Sequence, residues 1–418
     1  MATSILYPDS MLPLRGTIIM PGSKSISNRL LIIKALCKEE FDLDHLAPST
    51  DTLILLEILN TFEHTASLQT FDVGDAGTSF RFLTAFFASI DGVDIILKGT
   101  SRMHQRPILH LVEALQSLGA DISYIEEEGF PPLRIKGKKM LGGAIEMNGD
   151  VSSQYISAMC LIAPTLEHGL KIELSGNLVS APYVEMTLRL MTQFGIEVDT
   201  RIPTIEIKPQ AYVACDYYVE GDWSSVCFFY AMAMMLPTAH IHCKGLQLQS
   251  LQGDASIQNL AADFGVTTKS VEEGILIEKT VLARQTYNPT YDLSDYPDLA
   301  IPILVACGIK FPQVKFTGLQ HLIYKESNRI QALQNELQKV GIQLIHHAGV
   351  VSFEHTKSIG ESETIYFKTY SDHRMAMALS LFALLGYTVI LDDATCVQKS
   401  FPNYFVQLEH LGFKTHEI

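Results

Sequence analysis

One arrangement of apolar and polar positions recurs along the chain. An apolar stretch with helical spacing ends at a glycine, and a short alternating stretch follows at once. It covers residues 112–119, where Ala-Asp-Ile-Ser follows Gly119, and returns over 188–195, 257–265, 332–341 and 405–412. Each copy predicts a helix stopped by a left-handed glycine and then a strand. Gly119, Gly195, Gly265, Gly341 and Gly412 fall roughly 70 residues apart, and a weaker sixth copy covers 53–62, with Glu63 in the glycine's place. That period predicts six similar α/β units made by duplication, three on either side of a boundary near residue 220. Ordinary α/β connectivity would produce the same grammar without duplication.

At 418 residues the chain is too long for one ordinary core, which predicts two domains. A hydrophobic content of 47% against 18% charged residues excludes general disorder. The most apolar stretch, 375–391, is broken by Gly386 and closed by Asp392-Asp393, so it predicts a buried helix and a strand rather than a membrane span. Residues 1–9 have neither the basic start nor the apolar core of a signal peptide. Seven scattered cysteines without a C-x-x-C pair fit reduced thiols in a soluble, cytoplasmic protein, and neither a disulfide frame nor a zinc site. The net charge of −15 argues against nucleic acid or an anionic membrane as partner. Small anions remain possible ligands if the few cations gather in one cleft.

The cations do gather. Pro21-Gly22-Ser23-Lys24-Ser25-Ile26-Ser27-Asn28-Arg29 precedes an apolar helix at 30–36, with serines to cap it and two full charges at its positive end. It lacks the spacing of a phosphate-binding Walker loop. Gly77 in Gly74-Asp75-Ala76-Gly77-Thr78 allows close backbone approach to a ligand, or simply turns the chain. Arg102 and Arg106 lie four residues apart; on one helical face they would repel unless an anion joined them, and Pro107 is expected to begin the helix. Ser152, Ser153 and Gln154 open one helix and Ser180 and Tyr183 another, as caps or as polyol and phosphate contacts. Asp298 stands at a helix start, where a capping role is the simpler alternative. Lys325, Glu326 and Arg329 open the helix 330–340 as two cations and one acid able to hold an anion and move a proton. Asp372-His373-Arg374 abuts the apolar run, and Lys399 precedes a further helix. Taken singly, each is ordinary capping or solvated charge. Together they put cations at helix starts, whereas the dipole favours them at helix ends, as expected if the starts converge on an anionic ligand.

In this order the motifs resemble the EPSP synthase family of enolpyruvyl transferases over essentially the whole chain. The most specific pieces are Pro-Gly-Ser-Lys-Ser-Ile-Ser-Asn-Arg, Arg106-Pro107, Ser-Ser-Gln, Lys-Glu-Ser-x-Arg and Asp-His-Arg-Met-Ala-Met. The resemblance implies an inside-out α/β barrel fold, two domains each of three βαβαββ-type units. One domain would join residues 1–19 to 221–418, the other would span 20–220, and the active site would lie in the cleft between them. It further implies transfer of the enolpyruvyl group of phosphoenolpyruvate to the 5-hydroxyl of shikimate 3-phosphate, in aromatic amino acid biosynthesis, by a monomer without metal or organic cofactor. Carried over by position, Lys24, Ser25, Arg29, Ser152, Ser153, Gln154, Ser180, Tyr183, Asp298, His321 and Lys325 would contact shikimate 3-phosphate. Lys24, Gly77, Arg106, Gln154, Arg329, Arg374 and Lys399 would contact phosphoenolpyruvate. Asp298 and Glu326 would handle protons while Lys24 and Lys325 stabilise charge.

Some positions depart from the family pattern: Asp75 and Asn328 stand where Asn and Asp are usual, Trp223 where a small residue is, His321 where Asn is, and Phe82 where proline is. Two rival readings follow. A sister transferase acting on UDP-N-acetylglucosamine would carry a cysteine acid in its first domain, and no cysteine lies between Cys37 and Cys160. A non-catalytic ligand-binding relative would explain the departures but not the intact Lys24, Asp298, Glu326 and Arg374.

Overall fold

In the computed structural model, residues 2–6, 13–279, 289–356 and 364–418 are described; residues 1 and 7–12 of the expected 1–19 segment lie outside them. The chain divides into two compact units, Ser23–Val219 and Met1–Gly22 with Glu220–Ile418. Its helices are α1 (Lys24–Leu36), α2 (Thr50–Thr61), α3 (Gly77–Ser89), α4 (Leu109–Ser117), α5 (Ser153–Ile162), α6 (Ala181–Gln193), α7 (Trp223–Met235), α8 (Ile257–Ala262), α9 (Ala300–Lys310), α10 (Arg329–Lys339), α11 (His373–Leu379) and α12 (Tyr404–His410).

One βαβαββ module accounts for most of these elements. In the Ser23–Val219 unit, strand Leu68–Asp72 leads through α3 to a parallel neighbour, Asp94–Lys98. The chain then passes through α4 to Asp121–Tyr124 and returns as Leu133–Lys136, which pairs antiparallel with both. The segment 143–207 repeats this order around α5 and α6. A third copy is reduced to α1, α2 and a two-stranded parallel ribbon of Leu43–Asp44 with Tyr217–Tyr218.

The other unit holds three further copies. In one, strand Leu14–Ile19 pairs with Ala239–Lys244 although the whole Ser23–Val219 unit intervenes in sequence. In another, strand Thr3–Leu6 inserts between Thr388–Leu391 and Lys414–Glu417, antiparallel to each, and completes a sheet begun by the C-terminal segment.

Burial separates the two helices of every copy. The first helix is enclosed: all thirteen residues of α7, all seven of α11 and all of α9 except Lys310 are buried. In the second helix only a stripe is covered, four residues of nine in α4 and six of thirteen in α6. This is the difference between a helix apolar all round and an amphipathic one. The enclosed helices pack on one another within each unit, α1, α3 and α5 in the first and α7, α9 and α11 in the second.

The glycine stops behave as the pattern predicts. Gly119, Gly195, Gly265, Gly341 and Gly412 have φ between 80° and 94°, whereas α2 ends at Phe62 in extended backbone without a glycine. Other helix boundaries differ from expectation. The first helix starts at Lys24 rather than residue 30, because Ser23 caps it through Ile26 N at 3.4 Å. Pro107 lies outside α4, which starts at Leu109.

The stops provide a test. A Cβ at Gly119 meets nothing within 4 Å, so Gly119→Ala isolates the left-handed penalty and should cost about 1 kcal/mol. At Gly195 a Cβ would also sit 2.7 Å from Val213 Cγ2, so Gly195→Ala should cost roughly 1–3 kcal/mol more. Urea midpoints at unchanged activity check both; equal midpoints would contradict the steric reading.

Candidate functional site

In the Ser23–Val219 unit the expected residues meet at the starts of α1, α3, α5 and α6. Lys24 is the first residue of α1, and its Nζ lies 3.4 Å from Oδ2 of the buried Asp51. Arg29 lies deeper in the helix and is only 2% exposed. Its Nε donates to Thr187 Oγ1 at 2.6 Å, its Nη1 to the Ser25 carbonyl at 2.7 Å and its Nη2 to the Tyr183 carbonyl at 3.1 Å. The guanidinium also sits 5.4 Å from the Phe82 ring centre, which gives this departure from the family pattern a packing role. Burial pulls the Arg29 pKa down to about 10, with Tyr183 acting in the opposite sense, so the group stays charged at neutral pH. Arg29 thus ties α1 to α6, a role that local sequence does not disclose.

Ser152 caps α5 by accepting from Gln154 N at 3.3 Å, and Gln154 Nε2 donates to Thr78 Oγ1 at 3.0 Å, joining the starts of α5 and α3. Ser153 is buried in the first turn of α5. Ser180 takes a left-handed φ of 55° just before α6, so the chain enters that helix through a sharp turn. Arg106 does not occupy a helix start. It follows the short turn Met103–Gln105 in extended backbone, so it shares no helical face with Arg102. It packs directly on Gly77, where an added Cβ would lie 2.7 Å from Arg106 Cζ. The exposed Asp75 accepts a hydrogen bond from the Thr100 hydroxyl.

In the Glu220–Ile418 part of the other unit, five expected residues and one unexpected one form an ionic network. Arg374 Nη2 pairs with Asp298 Oδ2 at 2.9 Å, and its Nη1 donates to the Asp298 carbonyl at 2.8 Å. Asp298 is therefore not a cap: Leu299 holds that position on α9 without a side-chain bond. Arg329 Nη2 reaches Glu326 Oε2 at 3.0 Å, and Lys399 Nζ lies 3.7 Å from Glu326 Oε1. The unexpected member is Asp372. Its carboxylate is fully buried, receives Arg329 Nε at 2.8 Å and Nη2 at 3.1 Å, and caps α11 through Arg374 N at 3.0 Å. Its sequence signal was an aspartate before an apolar run, two residues ahead of an arginine.

The remaining expectations divide. Lys325 and Glu326 precede α10 in non-helical chain rather than forming its first turn, and Lys399 ends the short turn Thr395–Lys399, five residues before α12. Asn328 caps α10 by accepting from Gln331 N at 3.1 Å, a bond an aspartate would make equally well. Trp223 is fully buried and stacks on Tyr230. His321 Nε2 is buried without a hydrogen bond. Burial first, then the charges of Lys325 and Arg329, push the His321 pKa down to about 3 against the pull of Asp298, so the ring is neutral at working pH.

The helix starts share one electrostatic property. Acids outnumber bases by 46 to 31, yet α1, α3, α5, α6, α7, α9, α10 and α11 carry none in the first turn, where the dipole would favour them. Lys24, Arg329 and Arg374 lie there instead. Positive helix ends with added cations suit carboxylate and phosphate groups. Among the described residues no group of histidine, cysteine or acidic side chains could hold a metal, and no helix is long and apolar enough to cross a membrane.

Modules of this kind, in two units, match a solved EPSP synthase from Acinetobacter baumannii with a TM-score of 0.75 at 19% identity, covering 100% of both chains. The class of fold is thus that of the two-domain enolpyruvyl transferases. In sequence, residues 8–408 match the model of the EPSP synthase (3-phosphoshikimate 1-carboxyvinyltransferase) family. The chain is 40% identical to the 3-phosphoshikimate 1-carboxyvinyltransferase of Bacteroides fragilis over 403 residues, 96% of each protein. It is 34% identical to that of Haemophilus ducreyi, over 97% of this chain and 98% of the relative. The chain belongs to the EPSP synthase family.

The neutral His321 predicts a pH dependence. The unfolded chain takes up a proton at this residue near pH 6.5 and the folded chain only near 3, so His321 removes stability as pH falls through that window. His321→Asn should therefore unfold at a similar temperature to the parent at pH 7.5 and at a relatively higher one at pH 5. A difference that does not change with pH would contradict the neutral buried ring.

Proposed function

We propose that the residues gathered at these helix starts bind and activate the two substrates of enolpyruvyl transfer. The chain moves the enolpyruvyl group of phosphoenolpyruvate to the 5-hydroxyl of shikimate 3-phosphate, giving 5-enolpyruvylshikimate 3-phosphate and phosphate. The observation that carries the residue roles is the network of Asp298, Glu326, Arg329, Asp372 and Arg374, in which buried arginines are matched by carboxylates. Lys24, Gly77, Arg106, Gln154, Arg329, Arg374 and Lys399 take phosphoenolpyruvate; cation-rich contacts fit its carboxylate and phosphate. Lys24, Ser25, Arg29, Ser152, Ser153, Gln154, Ser180 and Tyr183 take shikimate 3-phosphate, whose reacting side meets Asp298, His321 and Lys325. A neutral His321 can still donate or accept one hydrogen bond there.

The chemistry follows from the pairing. Arg374 favours the ionised form of Asp298, which suits it to accept the proton of the attacking hydroxyl. The hydroxyl oxygen bonds to C2 of phosphoenolpyruvate while the methylene carbon takes a proton from Glu326. A substrate anion arriving at Arg329 and Lys399 draws these cations away from Glu326 and adds a negative charge beside it, both of which favour its protonated form. The tetrahedral adduct then returns a proton from its new methyl group to the Glu326 carboxylate and expels phosphate, which restores the double bond. Lys24 and Lys325 offset the charge that develops at the reacting centre. This reading is of a cytoplasmic monomer, in keeping with seven unpaired cysteines.

Phosphate release from phosphoenolpyruvate, with shikimate 3-phosphate or UDP-N-acetylglucosamine as acceptor, tests the reaction. Release is expected only with shikimate 3-phosphate; release only with the nucleotide sugar would overturn the substrate. Glu326→Ala should abolish release with substrate binding retained, and unchanged release would remove Glu326 from the mechanism. Gly77→Ala should displace the Arg106 guanidinium and raise the KM for phosphoenolpyruvate about tenfold, as expected for one lost charged hydrogen bond. An unchanged KM would take Arg106 out of that site.

A further inference from the structure

Helix α10 grips one chain segment at two points. Arg329, at its start, holds the carboxylate of Asp372. Glu336 lies two turns further along the same face and, like Arg329, is 1% exposed. Its Oε1 accepts from the Tyr370 hydroxyl at 2.9 Å, and its Oε2 from Lys368 N at 2.9 Å and Lys339 Nζ at 2.5 Å. Both grips thus fall on residues 368–372, the link between strand Thr364–Phe367 and α11.

That link is strained. Tyr370 and Ser371 have φ of 57° and 53°, two successive left-handed residues without a glycine. Such backbone persists only where its surroundings over-determine it. Here Thr369 donates from its N and Oγ1 to Asp392 Oδ1 at 2.8 and 2.9 Å, Asp372 N donates to the Thr369 carbonyl at 3.0 Å, and Glu336 fixes the Tyr370 ring. The strained turn delivers the Asp372 carboxylate, which meets Arg329, Ser327 Oγ at 3.1 Å and the backbone N of Arg374.

We propose that Glu336 and Tyr370 are positioning residues for the anion-binding arginines: through the left-handed turn they set Asp372, and Asp372 sets Arg329 and the start of the helix that carries Arg374. The inference rests on the reading of Arg329 and Arg374 as phosphoenolpyruvate ligands. A brace that served folding alone would gain nothing from ending on a carboxylate that holds the Arg329 guanidinium and the backbone N of Arg374.

Full-length Tyr370→Phe, Asp372→Asn and Arg329→Lys are compared for kcat, for the KM of each substrate and for unfolding temperature. Tyr370→Phe removes one hydroxyl and keeps the ring, so it should fold; its KM for phosphoenolpyruvate should rise roughly five- to tenfold while that for shikimate 3-phosphate stays within about twofold. Asp372→Asn keeps the shape but removes the charge and should show the same selectivity with a larger effect, on the order of a hundredfold. If Tyr370→Phe lowers only the unfolding temperature, or raises both KM values together, the positioning role is overturned. If Arg329→Lys leaves the KM for phosphoenolpyruvate unchanged, the assignment of Arg329 to that substrate fails first and the inference goes with it.

Discussion

A helix enclosed on every side can meet a ligand only at its ends, and this constraint organises both units. In five of the six modules the first helix crosses between two parallel strands, so it must be covered by the sheet and by its sister helices. Its sequence becomes apolar nearly all round, as in α7, whose serines fall in the first turn, and in α9, whose one charged residue, Lys310, lies at the far end. Lys24 on α1, Gly77 on α3, Ser153 on α5, Asp298 ahead of α9 and Arg374 on α11 all occupy such positions. The proposed chemistry falls there because the fold leaves it little other room.

The same constraint shapes the electrostatics. An acidic chain would ordinarily place acids in helix first turns, and these helices do not. The charges that enter instead are expensive to bury and are made tolerable by pairing, with Arg329 as the clearest case. Burial alone would lower its pKa, yet Asp372 and Glu326 hold it above the ordinary guanidinium value. Arg329 and Arg374 are therefore matched by carboxylates before any substrate arrives, and on the proposed mechanism a substrate anion enters by exchange with one of them.

What could be read from the sequence follows from the range of each signal. The glycine stops were legible because a left-handed residue after a helix is decided within four or five residues, and Gly119 to Gly412 adopt it. The reduced third module of the Ser23–Val219 unit was foreshadowed by Glu63 in the glycine's place, and there α2 ends in extended chain. Contacts that join distant segments left no local trace. Arg29 meets Thr187 across 158 residues, and Arg329 meets Asp372 across 43. Arg106 was misplaced because a proline often opens a helix, whereas here Ile108 caps α4 and the arginine is steered by its packing on Gly77. Residue types at the site were thus readable, and their partners were not.

On the proposed mechanism the pairing also gives a reason for proton transfer to wait for substrate. In the structure Glu326 lies between Arg329 and Lys399, a setting that favours its anionic form. A carboxylate so placed is a poor acid until its cations are engaged elsewhere. A bound anion that recruits Arg329 and Lys399 changes the setting from two attractive charges to one repulsive one, which shifts the balance toward the protonated acid. Asp298 keeps its own partner in Arg374, through both side chain and backbone carbonyl, so it stays suited to the opposite role. On the proposed mechanism, two carboxylates of one network are thereby driven apart in proton affinity by the ligand itself.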